Sequence, residues 1–129
     1  MIRVLSGFAF FAVAAVASAA SSVDYDARYD LCLTEAGGAN NTSVLNCSGS
    51  VNADVKAEMN TLYDKLHTRL VGESVADADK LEATQKAWLV YRNGQCDLAT
   101  SYVGSPMYGY CPLMLNIQRV KELRELLGE

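Results

Sequence analysis

The sequence predicts an all-α fold, a small four-helix domain stapled by two local disulfides after removal of a signal peptide. Apolar residues recur at helical spacing through most of the chain, and no alternating run of β-branched residues is long enough to predict a strand. Four cysteines follow an N-terminal segment of the type that directs export. With 129 residues, the chain is long enough for one domain with a modest core.

The N-terminal segment has the three parts of a signal peptide. A single cationic residue, Arg3, is followed by the apolar stretch GFAFFAVAAV and by three small residues that end at Ala19. Cleavage after Ala19 fits best, with Ala20 as the alternative, so we predict a signal peptide over residues 1–19 and a mature domain over residues 20–129. The apolar stretch is about half of the ~20 residues that a membrane-spanning helix needs. We therefore expect no membrane association after cleavage, and a periplasmic or secreted location.

The negative net charge of the chain indicates which classes of partner it can bind. The formal net charge of the chain is −4. Removal of residues 1–19, which hold Arg3 and no acidic residue, takes this charge to −5. A nucleic-acid partner selects for a basic surface, so we expect no nucleic-acid partner. A cationic protein fits an acidic domain better.

All four cysteines, Cys32, Cys47, Cys96 and Cys111, lie after the predicted cleavage site. An even number of cysteines in a small exported domain is typical of a disulfide framework. Three pairings are possible, but Cys32–Cys47 and Cys96–Cys111 share a separation of fifteen residues, which favours two local disulfides. Each would restrict the unfolded chain by about 3 kcal/mol. We expect no metal, because the chain has no CxxC pair and its one histidine is His67.

Capping residues and apolar stripes place four helices along the mature chain. The first helix is predicted over residues 24–36, and the Asn- and Ser-rich segment 39–50 is predicted to be a loop. The second helix covers about residues 51–71, and the third covers about residues 74–102. The fourth covers about residues 112–127, with a proline in its first turn. Both disulfides would then close helix–loop–helix corners.

The third helix carries two polar residues on its predicted core stripe. This stripe consists of Leu81, Gln85, Trp88, Arg92 and Cys96. A buried charge must find partners, because an unpaired one is costly in free energy. We interpret Gln85, Trp88 and Arg92 as a structural polar network. Arg92 is predicted to bond to backbone carbonyls or to an acid such as Glu58 or Glu122, and an exposed Arg92 that contacts a binding partner is the alternative.

The sequence offers no catalytic motif. It has no GxSxG elbow, no glycine-rich phosphate loop and no HExxH pair. No acid–base partner at catalytic spacing can be chosen for His67, which we interpret as an exposed surface residue. We therefore expect neither enzyme activity nor a cofactor.

Three segments of the chain carry a family resemblance. They are EMNTLY at residues 58–63, QKAWLVYR at residues 85–92 followed by Cys96, and the closing series of Cys111, Arg119 and Leu123. Together these segments resemble the LprI-like lysozyme-inhibitor family of small exported bacterial helical domains. The spacing Gln-x-x-Trp-x-x-Tyr-Arg-x-x-x-Cys is the most specific part of the resemblance.

The resemblance implies a protein-binding domain that occludes the cleft of a lysozyme, possible partners being cationic lysozymes. A loop held by the Cys96–Cys111 disulfide would offer hydroxyl groups in place of sugar hydroxyls and water. The predicted contact residues on this loop are Ser101, Tyr102, Ser105, Tyr108 and Tyr110. Two alternatives stay open. The tyrosines could only cover the ends of two helices, and the protein could be a periplasmic envelope-stress or scaffold protein that does not act on lysozyme.

Overall fold

The computed structural model describes residues 22–129. Over these residues the chain forms four α-helices and no strand, so the predicted all-α fold of four helices is confirmed. The helices are α1 (Tyr25–Glu35), α2 (Asn41–Glu73), α3 (Val75–Tyr102) and α4 (Met107–Leu127). None of these four helices is both long and apolar enough to cross a membrane. The predicted signal peptide, residues 1–19, lies outside the described residues.

Helix α2 begins well before the predicted position, so the prediction of a loop over residues 39–50 is wrong. The side chain of Asn40 accepts hydrogen bonds from the backbone N–H groups of Thr42 and Ser43, at 3.0 and 3.1 Å. The Ser43 hydroxyl accepts in return from the backbone N–H of Asn40, at 2.9 Å. The polar residues that suggested a loop therefore form a capping box and start the helix. Burial of Cys47 against the core favours its continuation.

Helix α4 also begins earlier than predicted, at Met107, and Pro112 lies inside the helix instead of in its first turn. A proline at this position lacks the N–H group that would donate to the carbonyl of Tyr108. Burial of Cys111 and Leu113, the residues on either side of the proline, offsets the free-energy cost of this missing hydrogen bond. Packing of the flanking residues therefore outweighs the unfavourable backbone position.

The core lies mainly between α2 and α4. Its buried apolar residues include Val55, Met59, Leu62 and Leu66 from α2 and Leu113, Ile117, Val120 and Leu123 from α4. Helix α1 adds two buried tyrosines, Tyr25 and Tyr29, whereas α3 adds only Leu81 to this cluster. Because α3 buries so little of its surface, large apolar residues on its other faces remain exposed.

The two disulfides are Cys32–Cys47 and Cys96–Cys111, as predicted from their equal spacing. The first joins α1 to α2 and the second joins α3 to α4. Because α2 and α4 begin early, each disulfide links two helices directly, next to a short turn. The turns are residues 36–40 and residues 103–106.

Glu58 fastens α1 to the rest of the domain. Its carboxylate accepts a hydrogen bond from the Tyr25 hydroxyl at 2.6 Å and another from Nε of Arg124 at 2.8 Å. Arg124 also donates through Nη1 to the carbonyl of Val23 at 3.0 Å. Burial and the negative charge of Glu58 raise the pKa of Tyr25 to about 12.

We expect Tyr25→Phe to lower the free energy of unfolding by about 1.5–3 kcal/mol at neutral pH, because a hydrogen bond to a charged group is lost. The Tyr25 hydroxyl has a pKa of about 12 when folded, against about 10 when unfolded. The stability that it contributes is therefore complete below about pH 10 and is lost as the pH rises toward 12. Urea denaturation between about pH 9.5 and about pH 11.5 should show a smaller decline in the variant than in the parent. Tyr91→Phe, at an exposed tyrosine, is the matched control and should follow the parent.

Candidate functional site

The two short turns of the domain lie at the same end of the helices. Residues of both turns, Ala39 and Pro106, line one shallow groove of about 400 Å³. Tyr29, Asp30 and Tyr110 also line this groove. We call the surface formed by residues 36–40, residues 98–110 and this groove the two-turn end.

Close packing and covalent links hold the backbone of the two-turn end. A Cβ atom on Gly109 would lie 3.0 Å from Cδ2 of Leu45, so glycine at this position lets α4 approach α2 closely. The rings of Tyr29 and Tyr110 pack together with their centroids 5.6 Å apart. The Cys32–Cys47 and Cys96–Cys111 disulfides lie next to the two turns. This end is therefore a rigid platform.

The predicted contact residues occupy two different environments on this platform. Ser101, Tyr102, Ser105 and Tyr108 are exposed, and the exposed fraction of Tyr102 reaches 85%. Tyr110 is half-buried, because its ring packs against Tyr29. The first four side chains can reach a partner from the surface, whereas Tyr110 can contribute only as a wall of the groove.

Two further exposed apolar side chains at this end, Leu98 and Val103, were not singled out from the sequence. Both have exposed fractions above one half, and that of Val103 is 72%. The sequence does contain a signal for them, since Asp97 is the only charged residue between Arg92 and Arg119. Few charges together with exposed aromatic residues are typical of the centre of a protein–protein interface.

The structural polar network predicted on α3 has different partners from those expected for Arg92. Nη1 of Arg92 donates to Oδ1 of Asn116 at 3.0 Å, and its Nη2 donates to Oδ1 of Asn93 at 2.8 Å. Its guanidinium also lies 5.3 Å from the centre of the Trp88 ring. The prediction that backbone carbonyls, Glu58 or Glu122 would bind Arg92 is wrong.

The two acids, Glu58 and Glu122, bind arginines of α4. Arg124 binds Glu58, and Nη1 of Arg119 lies 2.8 Å from Oε2 of Glu122. Nε of Arg119 donates to Oε1 of Gln85 at 2.9 Å, and its guanidinium lies 5.8 Å from the Trp88 ring. The Trp88 ring is thus contacted by two guanidinium groups, one from α3 and one from α4.

The network continues through two asparagines that sequence reasoning missed. Asn116 is almost fully buried, and its Nδ2 donates to Oδ1 of Asn52 at 2.7 Å. Asn116 therefore joins Arg92 on α3 to Asn52 on α2. A buried amide between two charged or polar partners fixes how these helices pack.

His67 packs against a tyrosine of its own helix. It is half-buried and stacks on Tyr63, with ring centroids 5.8 Å apart, so the prediction of an exposed histidine is wrong. Within residues 22–129, no group of three His, Cys, Asp or Glu side chains is placed to hold a metal ion.

A protein-family model described as lysozyme inhibitor LprI matches residues 32–123. This match covers more than two thirds of the chain. The chain belongs to the LprI lysozyme inhibitor family. No curated protein and no solved structure matches the chain.

The LprI match includes the features that shape the two-turn end. It starts at Cys32 and ends at Leu123, so it contains both disulfides and the polar residues around Trp88. Tyr25 lies outside the match, although it fastens α1 to α2. The family resemblance that the sequence motifs indicated is thereby confirmed.

We expect Asn116→Ala to lower the free energy of unfolding of this LprI domain by about 1–3 kcal/mol, because Arg92 and Asn52 each lose a partly buried hydrogen bond to this buried side chain. Urea denaturation followed by far-UV circular dichroism measures the change. Asn93→Ala is the matched control, since Asn93 also accepts from Arg92 but is exposed. Equal effects of the two substitutions would contradict the structural role of Asn116.

Proposed function

We propose that this domain inhibits a lysozyme by covering the catalytic cleft, and that the two-turn end makes the contact. The family description supports inhibition of a lysozyme as the activity. The observation that carries the choice of surface is the exposed, nearly uncharged aromatic patch on the disulfide-held end. The mature domain over residues 20–129 would act outside the cytoplasm after loss of the signal peptide at residues 1–19.

The exposed side chains at the two-turn end have the composition of an interface centre. Tyr102 and Tyr108 provide large aromatic surfaces with few rotatable bonds, and Leu98 and Val103 add apolar area beside them. Aromatic residues dominate the binding energy of many protein interfaces, whereas lysine and glutamate are depleted there. A patch of this composition favours a protein partner.

Rigidity of this end reduces the cost of binding. Ordering of mobile loops at an interface opposes association. The Cys96–Cys111 disulfide and the close contact of Gly109 with Leu45 hold the α3–α4 turn before a partner arrives. Most of the surface that a partner would contact is thus already in place.

The chemistry of a lysozyme cleft fits the polar groups on this surface. A glycosidase cleft holds two carboxyl groups that normally face sugar hydroxyls and water. The hydroxyl groups of Ser101, Tyr102, Ser105 and Tyr108 can donate hydrogen bonds to such carboxylates. A surface that combines aromatic area with hydroxyl donors suits a site that is built for sugars.

Acidic residues near this surface favour a cationic enzyme as the partner. Asp30, Glu35 and Asp97 are exposed, and none forms an ion pair with another described residue. Free carboxylates around an apolar patch attract a positively charged protein and speed the encounter. They contribute less to the lifetime of the complex, because exposed ion pairs are weak.

The disulfides and the family both support a periplasmic or secreted location, since disulfides persist in oxidising compartments. A periplasmic envelope-stress or scaffold protein would share this location and this rigid frame. The alternatives differ in one outcome: a scaffold protein would leave every lysozyme active.

The contact residues are tested by substitution of three side chains at once. We expect Tyr102→Ala, Ser105→Ala and Tyr108→Ala together to weaken inhibition at least about tenfold, because two aromatic anchors are lost. The control is a triple variant of the exposed valines Val71, Val75 and Val90, each changed to alanine. Cell-wall lysis assays give the inhibition constants, and circular dichroism checks helicity. Equal inhibition by both triple variants would place the binding surface elsewhere.

The acidic rim is tested through association kinetics with a cationic lysozyme. Asp30→Asn, Glu35→Gln and Asp97→Asn together should slow association several-fold and leave dissociation nearly unchanged. Added salt should have a smaller effect on this variant than on the parent. The control neutralises Asp64, Glu73 and Asp79, which are exposed acids outside the two-turn end. If this control slows association as much, net charge and not the position of the acids governs the encounter.

A further inference from the structure

A second cavity lies at the opposite end of the helices from the two-turn end. It has a volume of about 300 Å³ and opens between the end of α2, the start of α3 and the end of α4. Its walls are mainly apolar and include Leu66, Leu70, Leu81 and Leu126. We call this cavity the leucine pocket. Its size is at the lower end of the range for small-molecule sites.

Arg119 lines the leucine pocket and is 6% exposed. Gln85 and Glu122 bind its Nε and Nη1 atoms, but Nη2 has no hydrogen-bond partner among the described residues. Because Nη2 is also shielded from solvent, its charge acts on the pocket through a medium of low dielectric constant. A cation in this position favours an anionic ligand.

Two more cations lie at the edge of the leucine pocket. Arg69 donates through Nη2 to the carbonyl of Leu126 at 2.6 Å and forms no ion pair with a described residue. Lys80 lies 3.2 Å from Asp77, and both side chains are largely exposed, so this pair is weak. Three cations line this pocket, and two of them have a carboxylate partner: Lys80 pairs with Asp77, and Arg119 pairs with Glu122. Arg69 and the Nη2 atom of Arg119 are left to attract an anion.

We propose that the leucine pocket binds an amphipathic monocarboxylate, a medium-chain fatty acid. The aliphatic chain would contact the leucine walls, and the carboxylate would face Arg119 and the two cations at the edge. The cavity has room for about ten non-hydrogen atoms, if each takes roughly the 30 Å³ of a water molecule. A ten-carbon acid would therefore fill it with its carbon atoms and hold its two carboxylate oxygens at the open edge, beside the cations. The apolar walls disfavour a small inorganic anion, and the three cations disfavour a neutral or cationic amphiphile.

Binding is measured by titration of the oxidised exported protein with decanoate below micelle-forming concentrations. Trp88 is the only tryptophan of the chain and lies 5.8 Å from the Arg119 guanidinium, so its fluorescence reports on this site. Decanol and decyltrimethylammonium present the same chain with no charge and with a positive charge. We expect saturable binding of one decanoate, at least about tenfold tighter than decanol. No saturable binding of decanoate, or equal binding of decanol, would overturn the proposal.

Three variants test whether decanoate binds in the leucine pocket. Lys80→Met should weaken decanoate binding several-fold, and Thr84→Phe should abolish it because the larger side chain fills the pocket from an exposed position. Lys86→Met is the matched control, since Lys80 and Lys86 both lie on α3, pair with a neighbouring acid and are 76% and 73% exposed. If Lys86→Met weakens binding as much, or Thr84→Phe binds like the parent, decanoate binds elsewhere and the proposal fails.

This ligand site is independent of the proposed inhibition. Lys80 and Thr84 lie outside the two-turn end, so both variants should inhibit lysozyme like the parent. Loss of decanoate binding with intact inhibition would therefore support the leucine pocket as a separate site. Conversely, a parent protein that binds decanoate but inhibits no lysozyme would contradict only the function proposed for the two-turn end.

Discussion

The two disulfides are the constraint on which the surface of this domain depends. A domain of about a hundred residues has a limited core, and cross-links of this loop length each restrict the unfolded chain by about 3 kcal/mol. Both lie toward the same end, where Cys32–Cys47 holds the α1–α2 corner and Cys96–Cys111 holds the α3–α4 corner. The domain can therefore expose apolar side chains at this end without losing its shape.

Helix α3 has a different role from the other helices because it buries so little. The central packing of α2 against α4 stabilises the domain, and α3 is fastened to it by Leu81, the Trp88 contacts and the second disulfide. The remaining faces of α3 are free for contacts with other molecules. Its C-terminal end contributes to the two-turn end, and its N-terminal end contributes to the leucine pocket. One weakly buried helix thus supplies residues to both proposed sites.

The sequence predicted those features that depend on local spacing. Equal separation of the cysteines predicted both pairs, and the apolar spacing predicted four helices and no strand. The early start of α2 was missed because Asn40 and Ser43 are typical of both loops and helix caps. Burial of Cys47 favours the helix, and this burial depends on tertiary packing. The partners of Arg92 were missed because they depend on the register between helices. In that register, Arg119 binds Glu122 and Arg124 binds Glu58. Arg92 binds Asn116 instead.

Hydrogen–deuterium exchange of the complex with an inhibited lysozyme tests the central claim most directly. Most backbone amides in the turns at residues 36–40 and 103–106 are hydrogen-bonded, but they lie at helix ends, which open more readily than helix interiors, so their exchange reports contact with a partner. We expect slower exchange at both turns in the complex than in the free domain, and unchanged exchange around residues 71–76 at the other end. Slower exchange confined to residues 71–76, with both turns unaffected, would contradict binding through the two-turn end.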